Sequence, residues 1–156
     1  MNRPLRRKDR EMPREFAERL LDTCDYMTLS MASPDGAPYA VPISQVRESD
    51  HLYFHCARQG QKSDYMAQNA RVCFSCVGPI TIPNDDFTVG YESCIGYGIS
   101  QLVTEEEERL HALRLLCQRF VPEHMDCFDA EIKKSFAATA VYKITITHLT
   151  GKAKQL

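Results

Sequence analysis

The chain has 156 residues and a formal net charge of −2, a length that suits a single domain able to bury roughly two thirds of its unfolded surface. Hydrophobic residues make up 44 % and charged residues 26 %, which argues against wholesale disorder, and the near-neutral balance makes nucleic acid a poor partner. No apolar run approaches the ~18 residues of a membrane span, and the basic start is not followed by an apolar signal region. The expectation is a cytoplasmic protein with no membrane partner.

Segment 1–19 holds seven Lys/Arg and four Asp/Glu, and residues 1–12 are expected to form a solvated basic arm. Pro13 suits the first turn of a helix. Phe16, Leu20, Leu21 and Cys24 recur at helical spacing, predicting an amphipathic helix over 12–25. Residues 26–31 alternate and read as a strand. Ser33-Pro34-Asp35-Gly36 is a turn, since Pro presets one position and Gly takes positive φ. A second strand follows at 39–43, where Pro42 cannot donate to a ladder and so marks an edge, a bulge or a close approach. A polar turn over 47–50 leads to a third strand at 51–56, a short helix at 60–69 and a fourth strand at 71–77.

Two Pro, two Gly and two Asp mark 78–90 as a loop. A long strand spans 93–103, with Gly96 and Gly98 on one face. Thr104 and Glu107 have capping-box spacing, and Leu110, Leu113, Leu116, Cys117 and Phe120 give the following helix one apolar side. A short helix near 128–137 and a clean alternation at 141–146 complete the elements, leaving 150–156 as a tail. Six strands, the first four in quick succession, imply antiparallel pairing. Closing them into a barrel would remove exposed edges. The predicted fold is therefore α+β and mainly β, a six-stranded antiparallel barrel with peripheral helices.

Seven cysteines, at Cys24, Cys56, Cys73, Cys76, Cys94, Cys117 and Cys127, are too many to ignore and odd in number. A chain of this size does not need a disulfide scaffold, so they read as free, mostly buried thiols in a reducing compartment. Cys73 and Cys76 have redox or zinc spacing, but on a strand i and i+3 face opposite ways. Cys117, His124 and Cys127 have loose metal spacing and lack a fourth ligand. No metal site is expected.

The segment His55-Cys56-Ala57-Arg58-Gln59-Gly60-Gln61-Lys62 carries the most chemistry. A strand ends, a glycine permits a tight approach, and a helix begins with Arg58 before it and Lys62 in its first turn. Cations at the positive end of a helix dipole make sense if an anion is clamped between them and the exposed N–H groups. The same two residues would also serve as plain solvated surface cations. His55, two residues from Tyr53, is either a packing residue or a hydrogen-bond donor to a ligand.

Several segments together resemble a known family: Arg6-Arg7-Lys8-Asp9-Arg10-Glu11, Asp35-Gly36-Ala37-Pro38-Tyr39-Ala40-Val41-Pro42, Leu52-Tyr53-Phe54-His55-Cys56-Ala57 with Gly60 and Lys62, Ser93-Cys94-Ile95-Gly96-Tyr97-Gly98 and Leu149-Thr150-Gly151-Lys152. In this order they resemble the pyridoxamine 5′-phosphate oxidase-like flavoproteins, and within them the nitroimidazole-resistance branch. The resemblance implies one split-barrel domain over 1–156, a homodimer with FMN sites at the interface, and electron transfer from a nicotinamide donor to a small, nitroaromatic-type acceptor. FAD or haem are the family's alternative groups, and a non-catalytic flavin- or haem-binding protein is the alternative role. By position, Val41, Pro42, Ile43 and Ser44 would line the flavin ring. Gln61, Lys62 and Arg58 would hold its phosphate, with Cys56, Ser93 and Cys94 close by. His55 is the one implied catalytic residue. The chain departs from the family at Cys56, where a smaller residue is usual, and in having no tryptophan in the 78–90 loop.

Overall fold

Residues 4–84 and 87–156 are described in the computed structural model of the protein. In chain order they form β1 (Glu11–Met12), α1 (Arg14–Thr23), β2 (Met27–Ala32), β3 (Pro38–Ile43), β4 (Val46–Glu48), β5 (His51–Ala57) and α2 (Gln61–Gln68). These are followed by β6 (Arg71–Thr81), β7 (Gly90–Leu102), α3 (Glu106–Phe120), α4 (Phe128–Ser135) and β8 (Thr139–Lys154). All strand pairs are antiparallel, in the order β3-β2-β6-β7-β8-β5-β4, and β1 adds to β8. The two ends of that order, β3 and β4, are consecutive in the chain and only Ser44 and Gln45 separate them. The sheet therefore curls until its edges meet at one short span, giving an α+β split barrel.

Alternation builds the interior. Met27, Leu29 and Met31 of β2 turn inward, and so do Val72, Phe74 and Cys76 of β6. Gly96 and Gly98 share the inward face of β7, as their spacing predicts. A Cβ at Gly96 would lie 2.2 Å from Phe74 Cζ, and one at Gly98 would lie 2.5 Å from Ile144 Cγ2. Burying Ala17, Leu20 and Leu21, α1 covers the barrel as its apolar stripe anticipates. A second core of Val46, Tyr53, Leu113, Leu116, Phe128 and Val141 joins α3 and α4 to the outside of the barrel. The predicted turn at Gly36 is present, with φ +89° and its N–H bonded to Ser33 O at 2.9 Å.

The structure revises several expectations. Among the described residues there are eight strands rather than six, because β1 and β4 are two and three residues long, too short to show a period. The predicted loop at 78–90 is shorter, since β6 runs on to Thr81 across a register shift between Val77 and Ile80; Asp85 and Asp86 lie outside the described residues. The arm is not simply solvated. Residues Lys8–Arg10 make a helical turn, Glu11 pairs with Lys152, and Arg10 donates to Tyr91 Oη at 3.3 Å. The expected tail is mostly strand, because β8 extends to Lys154. The capping box does not form: Glu105 is the N-cap of α3 and no side chain caps it, since the helix starts one residue later and Glu108 bonds elsewhere.

Candidate functional site

β5 has two working faces. Leu52 and Phe54 enter the barrel core, where Phe54 stacks on Tyr142 with centroids 5.5 Å apart. The intervening Tyr53 belongs to the outer core, and its hydroxyl donates to Glu108 Oε1 at 2.9 Å. Two residues on, His55 shares that outward face. It stands at a cleft of about 630 Å³ whose walls include Ser44, Leu116, Phe120, His124 and Phe128. The ring is exposed at the mouth, yet the surrounding protein mass, and then the charge of Lys62, push its pKa below the ordinary value. His55 is thereby held toward its neutral form, with one ring nitrogen able to donate and the other to accept.

Beyond the strand, Gly60 takes φ +147°, a conformation that favours glycine. It starts α2, whose first N–H groups receive no side-chain cap. Half-buried Lys62 has no carboxylate partner among the described residues. Uncapped donors, the positive end of a helix dipole and an unpaired cation together make a seat for an anion. Gln61 is exposed at the same turn.

Arg58 is elsewhere. It lines a separate hollow of about 310 Å³ with Arg109, whose guanidinium donates to Phe136 O at 2.9 Å and Thr139 O at 2.8 Å. On edge strand β3 Pro42 is exposed, as is Ser44 just after it, whereas Val41 packs partly on the core and Ile43 is buried. The side chains of Val41 and Ile43 therefore turn toward the core. Cys56 alternates away from the cleft, half-buried with its Sγ 3.9 Å from Ser63 Oγ. Ser93 pairs with Lys152 and His55 with Val141, at opposite ends of β8. Within one chain Ser93 cannot join the site. Cys94, 1 % exposed, points into the core, which removes its side chain from any cofactor.

Sequence reasoning missed the cleft's far wall. The apolar stripe of α3 serves both as packing and as lining, through Leu113, Leu116, Cys117 and Phe120. His124 and Cys127 join it from the turn before α4. Cys117, His124 and Cys127 do line one cleft, but no group of three metal-binding side chains forms among the described residues. Cys73 and Cys76 face opposite ways, as their spacing requires.

Residues 13–153 match the profile of the family described as pyridoxamine 5′-phosphate oxidase; the chain belongs to that family. No curated protein matches it. Among solved structures it is similar to a candidate 5-nitroimidazole antibiotic resistance protein from Bacteroides thetaiotaomicron, at 20 % identity and TM-score 0.76, covering 93 % of this chain and 90 % of that one. A protein from Mycobacterium smegmatis named for binding FAD and haem aligns at 24 % identity and TM-score 0.77, over 94 % of this chain and 74 % of its own. One from Corynebacterium glutamicum, described as a candidate pyridoxamine 5′-phosphate oxidase, aligns at 15 % identity and TM-score 0.67, over 94 % and 98 %. Among the described residues no helix is long and apolar enough to cross a membrane.

Proposed function

We propose that this protein is a flavin-binding oxidoreductase of the nitroimidazole-resistance type, with FMN as the group it holds. The observation that carries the reading is the pairing of His55, at the mouth of an apolar cleft, with the uncapped start of α2 and Lys62. The residues fit such a group. The N–H groups after Gly60, with Gln61 and Lys62, suit a phosphate, and exposed Pro42 and Ser44 at the end of β3 offer a surface for a planar ring. When bound, the flavin supplies the redox chemistry.

Lys62 fixes the anionic end, the cleft walls exclude water from an apolar acceptor, and His55, kept neutral, passes its ring N–H proton to a reduced substrate while its other ring nitrogen takes up a proton from solvent, so that it ends neutral again. The family match and the neighbours named for flavins and nitroimidazole resistance support the reading. A homodimer belongs to the proposal: Val77, Ile80, Ile95, Tyr97 and Ile99 leave an exposed apolar face on β6 and β7, of the kind that a second copy covers.

The test is the visible spectrum of the purified protein, followed by identification of what denaturation releases and by stopped-flow mixing with NADH and NADPH. Released FMN, reduced by a nicotinamide, is the expected result. Lys62→Ala then loses flavin at least tenfold more readily, and His55→Ala keeps flavin but turns over at least tenfold more slowly. Among the described residues no side chain is hydrogen-bonded to the His55 ring, which favours a non-catalytic flavin- or haem-binding protein as the second reading. A flavin that no nicotinamide reduces, or a Soret band, would select it.

A further inference from the structure

Three cysteines that the proposed flavin chemistry does not use meet at one end of the barrel. Cys76 on β6 and Cys94 on β7 are directly opposed in register, and their Sγ atoms lie 3.0 Å apart in the core. Cys24 caps the C-terminus of α1, with its Sγ 3.6 Å from Leu21 O. Unlike the pair behind it, Cys24 is only half-buried. Together with Cys76 it lines a cavity of about 660 Å³ whose rim includes Arg19, Asp25 and Tyr26.

The surroundings of Cys24 are those of an activated thiol. The Arg119 guanidinium donates to Cys24 O at 2.6 Å and Gln45 O at 2.7 Å, which fixes a cation beside the sulfur. Gln45, 1 % exposed, donates from Nε2 to Leu21 O at 2.6 Å and reaches Cys24 Sγ at 3.8 Å. The Cys76 S–H, then the Arg119 cation and the Gln45 amide, bring Cys24 down to about 6 against the opposing effect of burial. Cys24, then Cys94 and burial, push the Cys76 thiol up. Cys24, half-buried where Cys76 is buried, is the thiol that a solute in the cavity meets first.

We propose that Cys24 is a peroxide-reactive thiol and that Cys76 captures its oxidised form. The Cys24 thiolate attacks the O–O bond of a hydroperoxide and loses two electrons. This gives Cys24 sulfenic acid and an alkoxide or hydroxide, which takes a proton from water. The Cys76 thiol then gives up its proton and displaces the sulfenic hydroxyl as water, forming the Cys24–Cys76 disulfide. In sum, two thiols and one hydroperoxide yield one disulfide, one alcohol (or water) and one water. The site is independent of any flavin.

The experiment treats the full-length protein with one equivalent of hydrogen peroxide, blocks the remaining thiols by alkylation and maps the peptides by mass spectrometry. A Cys24–Cys76 cross-link that disappears in Cys24→Ser is expected, with exposed Cys127 still reduced. Separately, iodoacetamide modifies Cys24 of the unaltered protein at least tenfold faster than Cys127, a comparison that needs no variant to fold. Oxidation of Cys127 ahead of Cys24, a Cys76–Cys94 cross-link that persists in Cys24→Ser, or a Cys24 that alkylates no faster than Cys127 would each overturn the proposal.

Discussion

At single positions, the fold is most exacting where backbone meets backbone. A Cβ on Gly98 would stand 2.7 Å from Thr145 O as well as 2.5 Å from Ile144 Cγ2, and a main-chain carbonyl in a paired strand cannot step aside. Gly36 has open space around it and only an unfavourable φ. Gly98→Ala should therefore cost about 2–3 kcal/mol, against about 1 kcal/mol for Gly36→Ala. Urea denaturation of both variants measures the difference, and equal losses would mean that β7 yields more readily than its register suggests. Both glycines stand out in the sequence, one in a turn signature and one in a period-two pair. Their different costs do not, because the carbonyl facing Gly98 lies 47 residues away on β8.

Between elements, one polar junction ties α3 to two strands. Glu108 in the first turn of α3 accepts from Tyr53 of β5 at 2.9 Å and from Lys143 of β8 at 2.7 Å. Lys143, ahead of Tyr53, holds the carboxyl below its ordinary 4.5. With a folded pKa below the unfolded one, the contribution is present above 4.5 and lost as pH falls through the folded value. Glu108→Gln should thus destabilise by about 1 kcal/mol at neutral pH, and the gap to wild type should close in acid, where the protonated carboxyl resembles the amide. Denaturation midpoints across pH 3–7, a range flanking the ordinary carboxylate value, report it; a constant gap would refute the charge argument. The same junction explains a misreading. Thr104 and Glu107 have the spacing of a cap, but spacing says nothing of Lys143, whose ion pair anchors the helix one residue on. Periodicity located every long strand and all four helices. It missed β1 and β4, which are too short to show a period, and it hid the end of β6 behind Gly78-Pro79. His55, Lys62 and Gly60 were legible as a site because they are adjacent in the chain. The opposite wall and the Cys24–Cys76–Cys94 group were not, since they form only when distant segments pack.

For the molecule as a whole, the exposed apolar face of β6 and β7 is a cost to a solvated monomer, with Val77 71 % and Ile80 63 % exposed. If a second copy covers it, sedimentation should give a dimer, and Ile95→Glu, at an outward position of β7 that is 45 % exposed, should shift it to monomer while the isolated chain stays folded. A monomer in both cases would assign that face another purpose.

The sheet order carries a consequence for how the chain is made. Without β8, the sheet falls into two pieces, β3-β2-β6-β7 and β5-β4, with nothing pairing one to the other. β8 is the last strand along the chain, so a nascent polypeptide holds two half-sheets with bare edges on β5 and β7 until residues 139–154 emerge. Such edges invite pairing with other chains, and contacts between residues so far apart in sequence form slowly. Assembly is thus a single late closure by the final strand, and the interval before it is when this chain most needs a chaperone's shelter.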